Sequence, residues 1–251
     1  MITSLNICYH RREDLLSVVN QVAAYPPDQV LIQVFSGVLD LAVIRQLLAE
    51  LRELLPGRAV IGTSTAGEIM SGEAVEGTIL VNFSLFEQSR VRSALVTQNE
   101  DLAAAGYELA AALNQKYNKA LIILGCGLKD KRTINGEPLL KALDASVNGA
   151  IIAGGQAGDN GKGERTFVFT EAGITEHGVA AASVAGEFLT ANNTYNLSWV
   201  PIGKKLTITE AKGPRVYSID GQSPYAIYAH YLGQEVADNL PLSAADFPLI
   251  Y

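Results

Sequence analysis

The feature that most constrains the fold of this 251-residue chain is a similarity between its two halves. Three short segments of the first half resemble three segments of the second half, in the same order. They are VLIQVFSG with ALIILGCG at an offset of 90 residues (30 to 120), AVIGTSTAGEI with AIIAGGQAGDN at 91 (59 to 150), and GTILVNF with GVAAASV at 101 (77 to 178). Such ordered matches predict an internal duplication. The larger third offset predicts a hairpin inserted at residues 166–174.

Each predicted unit has the same order of elements. A buried strand precedes an amphipathic helix, and a second buried strand ends in a Gly-rich loop that is followed by two more strands. Apolar residues at three- and four-residue spacing over 41–55 predict the first helix, and Pro138 marks the first turn of its counterpart. The units cover about 25–97 and 118–196.

The near-continuous apolar strands predict burial on both faces. We therefore expect a mixed α/β fold, in which two tandem βαβββ-like units form a layered sandwich with sheets inside and helices outside. This duplicated region covers residues 1–200, and residues 201–251 begin a smaller C-terminal segment.

Composition excludes several classes of protein. The chain is 48% hydrophobic and 18% charged, which excludes disorder as its main state. Its net charge of −7 and the lack of a dense basic run argue against a nucleic-acid partner. No apolar run approaches the ~18 residues of a membrane helix. The two cysteines and three histidines lack metal-ligand spacing, so we expect no metal site, and two reduced thiols favour a cytoplasmic location.

Four motifs, in order, resemble the FIST sensory domain family over about residues 25–233. They are Ile61-Gly62-Thr63-Ser64-Thr65-Ala66-Gly67-Glu68-Ile69, the Gly154-Gly155 loop that ends at Asp159, Trp199-x-Pro201-Ile202-Gly203, and Asp220-Gly221-x-x-Pro224 before a Tyr-rich helix. The sequence departs from the family at two points. Thr63 stands where a cysteine is common, and Leu197-Ser198 replaces a His-Gly pair that often precedes the tryptophan.

The resemblance implies an input module of a bacterial signal-transduction protein that binds a small metabolite such as an amino acid. It also implies an output signalling domain as partner and a C-terminal half that continues beyond residue 251. Some members resemble haem-binding nitric oxide sensors, but the missing His-Gly pair weakens a haem role here. No cofactor and no catalytic activity are expected.

We expect the ligand in a cleft between the two Gly-rich loops, because small residues let a ligand approach the backbone and hydroxyls hydrogen-bond it. The candidate ligand-binding residues are Thr63, Ser64, Thr65, Gly67, Glu68, Gly154, Gly155, Gln156, Asp159 and Trp199. Glu68 and Asp159 occupy matched places, where they either hold an amino group or cap a turn. Trp199 either lines the pocket or anchors the second half.

The first loop also permits an enzymatic interpretation. It nearly matches the nucleophile elbow G-x-S-x-G, with Ala66 in the last position. A hydrolase that uses Ser64, Asp159 and His177 is therefore the alternative function, and a haem-binding gas sensor with His177 as ligand is another. A purely structural turn is the simplest competing interpretation of the loop.

Overall fold

The structure is a computed structural model that describes residues 1–97, 101–194, 200, 203–213, 215–240, 242–245 and 247–248. The chain divides into two compact units, Met1–Asn193 and Thr194–Tyr251.

The first unit alternates strands and helices. Its elements are β1 (Ile2–Cys8), α1 (Arg12–Ala23), a 3₁₀ turn (Pro27–Gln29), β2 (Val30–Ser36), α2 (Leu41–Leu54), β3 (Ala59–Ser64), β4 (Glu68–Met70), β5 (Glu73–Val75), β6 (Ile79–Phe86) and β7 (Arg90–Thr97). It continues with α3 (Leu102–Ala112), β8 (Asn118–Gly125), β9 (Leu128–Lys129), β10 (Arg132–Thr133), α4 (Glu137–Ser146), β11 (Ile151–Gln156), β12 (Val168–Thr170), β13 (Gly173–Thr175) and β14 (Gly178–Ala185).

Two mixed sheets form the centre of this unit. The first has the order β1-β6-β2-β3-β12-β13, and the second has the order β11-β8-β14-β7. The pairs β2–β3 and β8–β11 are parallel, and the other pairs in these two sheets are antiparallel. Strands β1-β6-β2-β3 and β7-β14-β8-β11 therefore have the same order and connections.

Sheet membership divides the halves differently from the sequence analysis. Strand β7 pairs with β14 in the second sheet, although the predicted first unit of 25–97 included it. Strand β1 and helix α1 precede that predicted unit and form part of the first half. The halves run from β1 to β6, residues 2–86, and from β7 to β14, residues 90–185.

Three clusters of buried apolar residues lie between the four layers of the first unit. Helices α1 and α2 cover one face of the first sheet, the two sheets face each other, and α3 and α4 cover the far face of the second sheet. Representative buried residues are Leu15, Leu47 and Phe83 in the first cluster, Leu31, Ile61 and Ala182 in the second, and Leu109, Leu143 and Ile123 in the third. The predicted layered α/β sandwich with helices outside is confirmed.

Both halves carry a short hairpin after their second parallel strand. The ladders of the two hairpins are the same with a shift of 100 positions (68 to 168): Glu68, Ile69 and Met70 pair with Val75, Ala74 and Glu73, and Val168, Phe169 and Thr170 pair with Thr175, Ile174 and Gly173. The inserted hairpin predicted at 166–174 is therefore wrong. Residues 65–67 join β3 to β4, whereas the much longer segment 157–167, here called the connecting loop, joins β11 to β12.

Local sequence signals also predict helix caps at Asp101 and Ser223, and both predictions are confirmed. Asp101 caps α3, since its Oδ1 accepts hydrogen bonds from the N–H groups of Ala103 at 3.0 Å and Ala104 at 3.1 Å. The sequence also predicts a strand over 188–195. This prediction is wrong within the described residues, because 188–194 contain no strand, and Tyr195 lies outside them.

The second unit contains β15 (Ile208–Lys212), β16 (Arg215–Ile219), α5 (Pro224–Leu232), α6 (Gln234–Asp238) and a 3₁₀ turn (Leu242–Ala245). Strands β15 and β16 form an antiparallel pair. Ser223 caps α5 by accepting a hydrogen bond from the N–H of Ala226 at 3.2 Å. The sequence predicts Gly233 as the residue that ends this helix, and Gly233 does so with a positive φ of 91°.

Candidate functional site

The two Gly-rich loops lie side by side at the carboxyl ends of the parallel strands. The Gly158 N–H donates to the Ser64 carbonyl at 2.9 Å, and the Asn160 N–H donates to the Thr65 carbonyl at 3.2 Å. The Asn160 side chain also donates through Nδ2 to the Gly37 carbonyl at 2.9 Å, beyond the end of β2. The connecting loop thus holds the carboxyl ends of the parallel strands of the first sheet close to the carboxyl end of β11. Because the backbones bond directly at these points, a ligand has no room between them there.

The residues at the end of β3 are buried and engaged in the protein. Thr63 Oγ1 donates to the Ser64 carbonyl at 3.0 Å. Ser64 is fully buried, and its Oγ accepts a hydrogen bond from the Phe167 N–H at 3.0 Å. His177 is exposed and forms no hydrogen bond with Ser64 or Asp159. The geometry does not assemble the Ser64, Asp159 and His177 triad that a hydrolase requires.

Glu68 is 3% exposed and fastens the start of the first hairpin. One carboxyl oxygen accepts a hydrogen bond from Thr65 Oγ1. The other accepts from Thr78 Oγ1 at 2.8 Å and from the Thr78 N–H at 3.3 Å. Of the two roles predicted for Glu68, this is the capping of a turn. The carboxylate links the start of the first hairpin to Thr78, directly before β6.

We expect Glu68→Ala to lower the free energy of unfolding by about 2 kcal/mol, since it leaves buried donors without an acceptor. Chemical denaturation of the wild type and the variant measures this difference. Glu73→Ala on the same hairpin is the matched control, because Glu73 is exposed and its removal should change stability by less than about 0.5 kcal/mol. Equal effects of both substitutions would contradict the anchoring role.

Asp159 shapes the connecting loop. Its carboxylate accepts hydrogen bonds from the N–H groups of Glu164 at 2.7 Å and of Gly163 and Arg165 at 3.1 Å. Burial raises the pKa of the Asp159 carboxyl, but these backbone donors outweigh burial and leave its pKa below the usual value. Asp159 therefore supports the loop in its charged form.

Five other predicted residues are accessible, fully or in part. Gly154, Gly155 and Gln156, at the end of β11, are exposed, as is Gly67, and Thr65 is half-buried. Gln156 donates through Nε2 to the Ile134 carbonyl at 2.8 Å, which links the end of β11 to the segment after β10. The exposed part of the predicted site thus lies mainly at the end of β11.

Sequence analysis missed a cavity beside this exposed end. It has a volume of about 570 Å³ and is lined by Lys129, Asp130, Arg132, Thr133 and Ile134. These residues belong to the β9–β10 hairpin and the segment after it, directly beyond the carboxyl end of β8. The available signal was the charged run LKDKRT after a buried strand, because ligands of α/β sheets bind beyond the carboxyl ends of strands.

Comparison with known proteins assigns the sequence of this chain to a family. A sequence model of the FIST N domain matches residues 30–222, about three quarters of the chain. The chain belongs to the FIST N domain family. FIST N domains are sensory domains of signalling proteins, and the predicted family is confirmed. In this FIST N domain, β1 and α1 precede the matched range.

The chain also resembles a protein from an archaeon. The FIST N domain is 22% identical over 211 residues to an uncharacterized protein, MJ1623, of Methanocaldococcus jannaschii. The match covers 81% of this chain and 41% of the archaeal protein. The chain therefore spans less than half the length of this relative.

Three expectations concern parts of the FIST N domain outside the loops. Trp199 lies outside the described residues, so its predicted place at the pocket stays a prediction. Within the described ranges, no cluster of three or more His, Cys, Asp or Glu side chains could hold a metal ion. Over the same part of the chain, no helix has the length and apolar character needed to cross a bilayer.

Proposed function

We propose that this FIST N domain is the input module of a signalling protein and binds a small zwitterionic metabolite, such as an amino acid, at the carboxyl ends of β8 and β11. The observation that carries the proposal is the cavity of about 570 Å³ on the β9–β10 hairpin, adjacent to the exposed end of β11. Gln156 supports this location, since its hydrogen bond to the Ile134 carbonyl fixes one edge of the cavity.

The cavity offers both charges that a zwitterion requires. Arg132 presents a guanidinium that can take a carboxylate through two parallel hydrogen bonds. Asp130 presents a carboxylate that can accept hydrogen bonds from an ammonium group. Gly155 has no side chain, and a Cβ at this position would meet no atom within 4 Å, so the space beside it is open.

The other predicted residues have supporting roles in this proposal. Thr63, Ser64, Glu68 and Asp159 are buried and hold the two loops together, while Thr65 and Gly67 form the outer part of the loop region. A ligand that moves the end of β11 also moves the connecting loop, which is bonded to the first half through Gly158. This loop is the movable element that passes a change to an output domain.

We expect Arg132→Ala to weaken binding of the responding metabolite about 10- to 100-fold, because a charge-assisted hydrogen bond is worth about 1.5–3 kcal/mol. A thermal-shift screen of amino acids and common metabolites identifies the ligand, and calorimetric titration measures the affinity. Lys131→Ala is the control, since Lys131 shares the hairpin but does not line the cavity. Equal affinities of wild type and Arg132→Ala, or no response to any metabolite, would contradict the proposal.

The proposal includes no resident cofactor, no catalytic activity and a cytoplasmic location. The free thiols Cys8 and Cys126 support the location. Titration with haem tests the gas-sensor alternative, for which a Soret band of the bound pigment is the required result. Ser64→Ala tests the hydrolase alternative, which requires that a measurable turnover disappear while the fold is kept.

A further inference from the structure

The first hairpin, β4–β5, is exposed, whereas its counterpart in the second half, β12–β13, forms part of the first sheet. Phe169 of β12 is 0% exposed, and β12 pairs with the edge of β3. Ile69 holds the same place in the ladder of β4–β5 and is 79% exposed. In the described part of the chain, β4 and β5 pair only with each other. A two-stranded hairpin is marginally stable by itself, so the first hairpin lacks the partner that the second one has.

Among the described residues, the matching acceptor strand also has one side without a partner strand. Strand β11 holds the place in the second sheet that β3 holds in the first, and it is an edge strand whose described pairing is with β8. Its last four residues, 153–156, are exposed. The Asn193 side chain reaches this strand only at the Ile152 carbonyl, at 3.5 Å. An unpaired strand edge is a template for another strand.

The internal similarity predicts the register of the missing pairing. The Thr65 N–H bonds to the carbonyl of Ser36, the last residue of β2, at 2.9 Å, and the Ala157 N–H bonds to that of Gly125, the last residue of β8, at 2.8 Å. A residue of β3 thus corresponds to the residue of β11 whose number is higher by 92, as 157 is higher than 65.

In the first sheet, Phe169 lies opposite Gly62, which leaves room for its ring. In the correspondence of 92 positions between β3 and β11, Gly154 takes the place of Gly62. In the correspondence of 100 positions between the two hairpins, Ile69 takes the place of Phe169. Ile69 therefore belongs opposite Gly154. Met70 belongs opposite Ala153 by the same reasoning, since Thr170 lies opposite Ile61.

We propose that β4–β5 of one copy of this chain adds to the β11 edge of a second copy, and that the two copies exchange hairpins about a two-fold axis. The occupant is a second copy because the chain's own hairpin is tied in place. Only residues 65–67 separate β3 from β4, and Glu68 is fastened to Thr78. The exchange leaves these contacts intact and extends the second sheet to the six-strand order of the first.

The positions of donor and acceptor suit a reciprocal contact. The root of the hairpin and the end of β11 lie near each other, because Ser64 and Gly158 are joined by a 2.9 Å hydrogen bond. Each copy contributes one hairpin and one edge, about 14 residues (68–75 and 151–156). Stable interfaces use roughly 20–30 residues a side, so this one is at the weak end, with a dissociation constant of about 1–100 μM.

Sedimentation equilibrium of the 251-residue chain from about 1 to about 200 μM measures the association. We expect a monomer–dimer equilibrium that Ile69→Lys and Ala153→Lys each weaken at least about tenfold, because lysine on a strand edge opposes pairing. Leu140→Lys is the control, an exposed apolar residue of α4. A chain that stays monomeric throughout, or a dimer that neither variant weakens, overturns the proposal.

Cross-linking tests the register independently. Met70→Cys chains and Ala153→Cys chains of different mass, both also carrying Cys8→Ser, are mixed with oxidised glutathione. Cα atoms of directly opposed antiparallel residues lie about 4.5–5.5 Å apart, within disulfide range. We expect a mixed disulfide dimer well above the level of a Leu140→Cys control. No excess over the control, or an intrachain disulfide in a chain with both cysteines, overturns the proposal.

Discussion

Asp159→Ala is expected to lower the free energy of unfolding by about 3–5 kcal/mol. The Asp159 side chain is 5% exposed, and its carboxylate accepts hydrogen bonds from three backbone N–H groups of the connecting loop. Hydrogen bonds to a charged group are worth about 1.5–3 kcal/mol each, and truncation leaves the donors without an acceptor. Urea denaturation of both proteins at pH 7 measures the loss. Asp144→Ala on the exposed face of α4 is the control.

The stabilisation by Asp159 has a defined dependence on pH. The pKa of Asp159 is lower in the folded protein than the value of about 3.9 in an unfolded chain. Its contribution is therefore complete above pH ~4 and is lost as pH falls through the folded pKa. The difference in stability between wild type and Asp159→Asn should shrink in that acidic range. A difference that stays constant down to pH ~2 would contradict the role of the charged form.

Gly62→Ala is the second substitution with a large expected effect, about 3 kcal/mol or more. A Cβ at position 62 would lie 2.2 Å from Cε2 and Cζ of Phe169, which is fully buried. The Phe169 ring cannot leave without moving its neighbours, and overpacking of this kind costs about 1–3 kcal/mol, occasionally more. Chemical denaturation measures the loss, and Gly125→Ala is the control, because its Cβ would meet no atom within 4 Å.

A double-mutant cycle assigns the effect of Gly62→Ala to one contact. Phe169→Leu alone should destabilise the protein by removing apolar contacts. Gly62→Ala should cost much less in the Phe169→Leu background than in the wild type, because the smaller side chain relieves the overlap. Additive effects of the two substitutions would show that Gly62 is required for another reason.

Sequence predicted best those features that depend on neighbouring residues. The caps at Asp101 and Ser223 followed from local chemistry, and the apolar spacing over 41–55 predicted α2. The membership of β7 in the second sheet could not be predicted, because its partner β14 lies about 90 residues away and both strands are apolar enough to join either sheet. Strand β1 was missed because it is half-exposed and its segment ITSLNIC mixes polar and apolar residues.

The sequence predicted the candidate site only in part, because the rest of the site also depends on contacts between distant segments. The acidic residues Glu68 and Asp159 and the glycines near them mark two loops, and the structure places the loops in contact. Their sequence does not show which residues face solvent. Glu68 and Asp159 point to backbone donors within the protein, while Gln156 is exposed at a sheet edge. The cavity on the β9–β10 hairpin depends on this edge position, which only the assembled sheet defines.

The pairing of β12 with β3 means that neither half of the first unit is a separate folding unit. The outermost two strands of the first sheet come from the second half, so a first half alone would present an unpaired edge at β3 and an empty place beside Gly62. The second half thus completes the sheet of the first half, whereas in the described part of the chain the strands of the first hairpin pair only with each other.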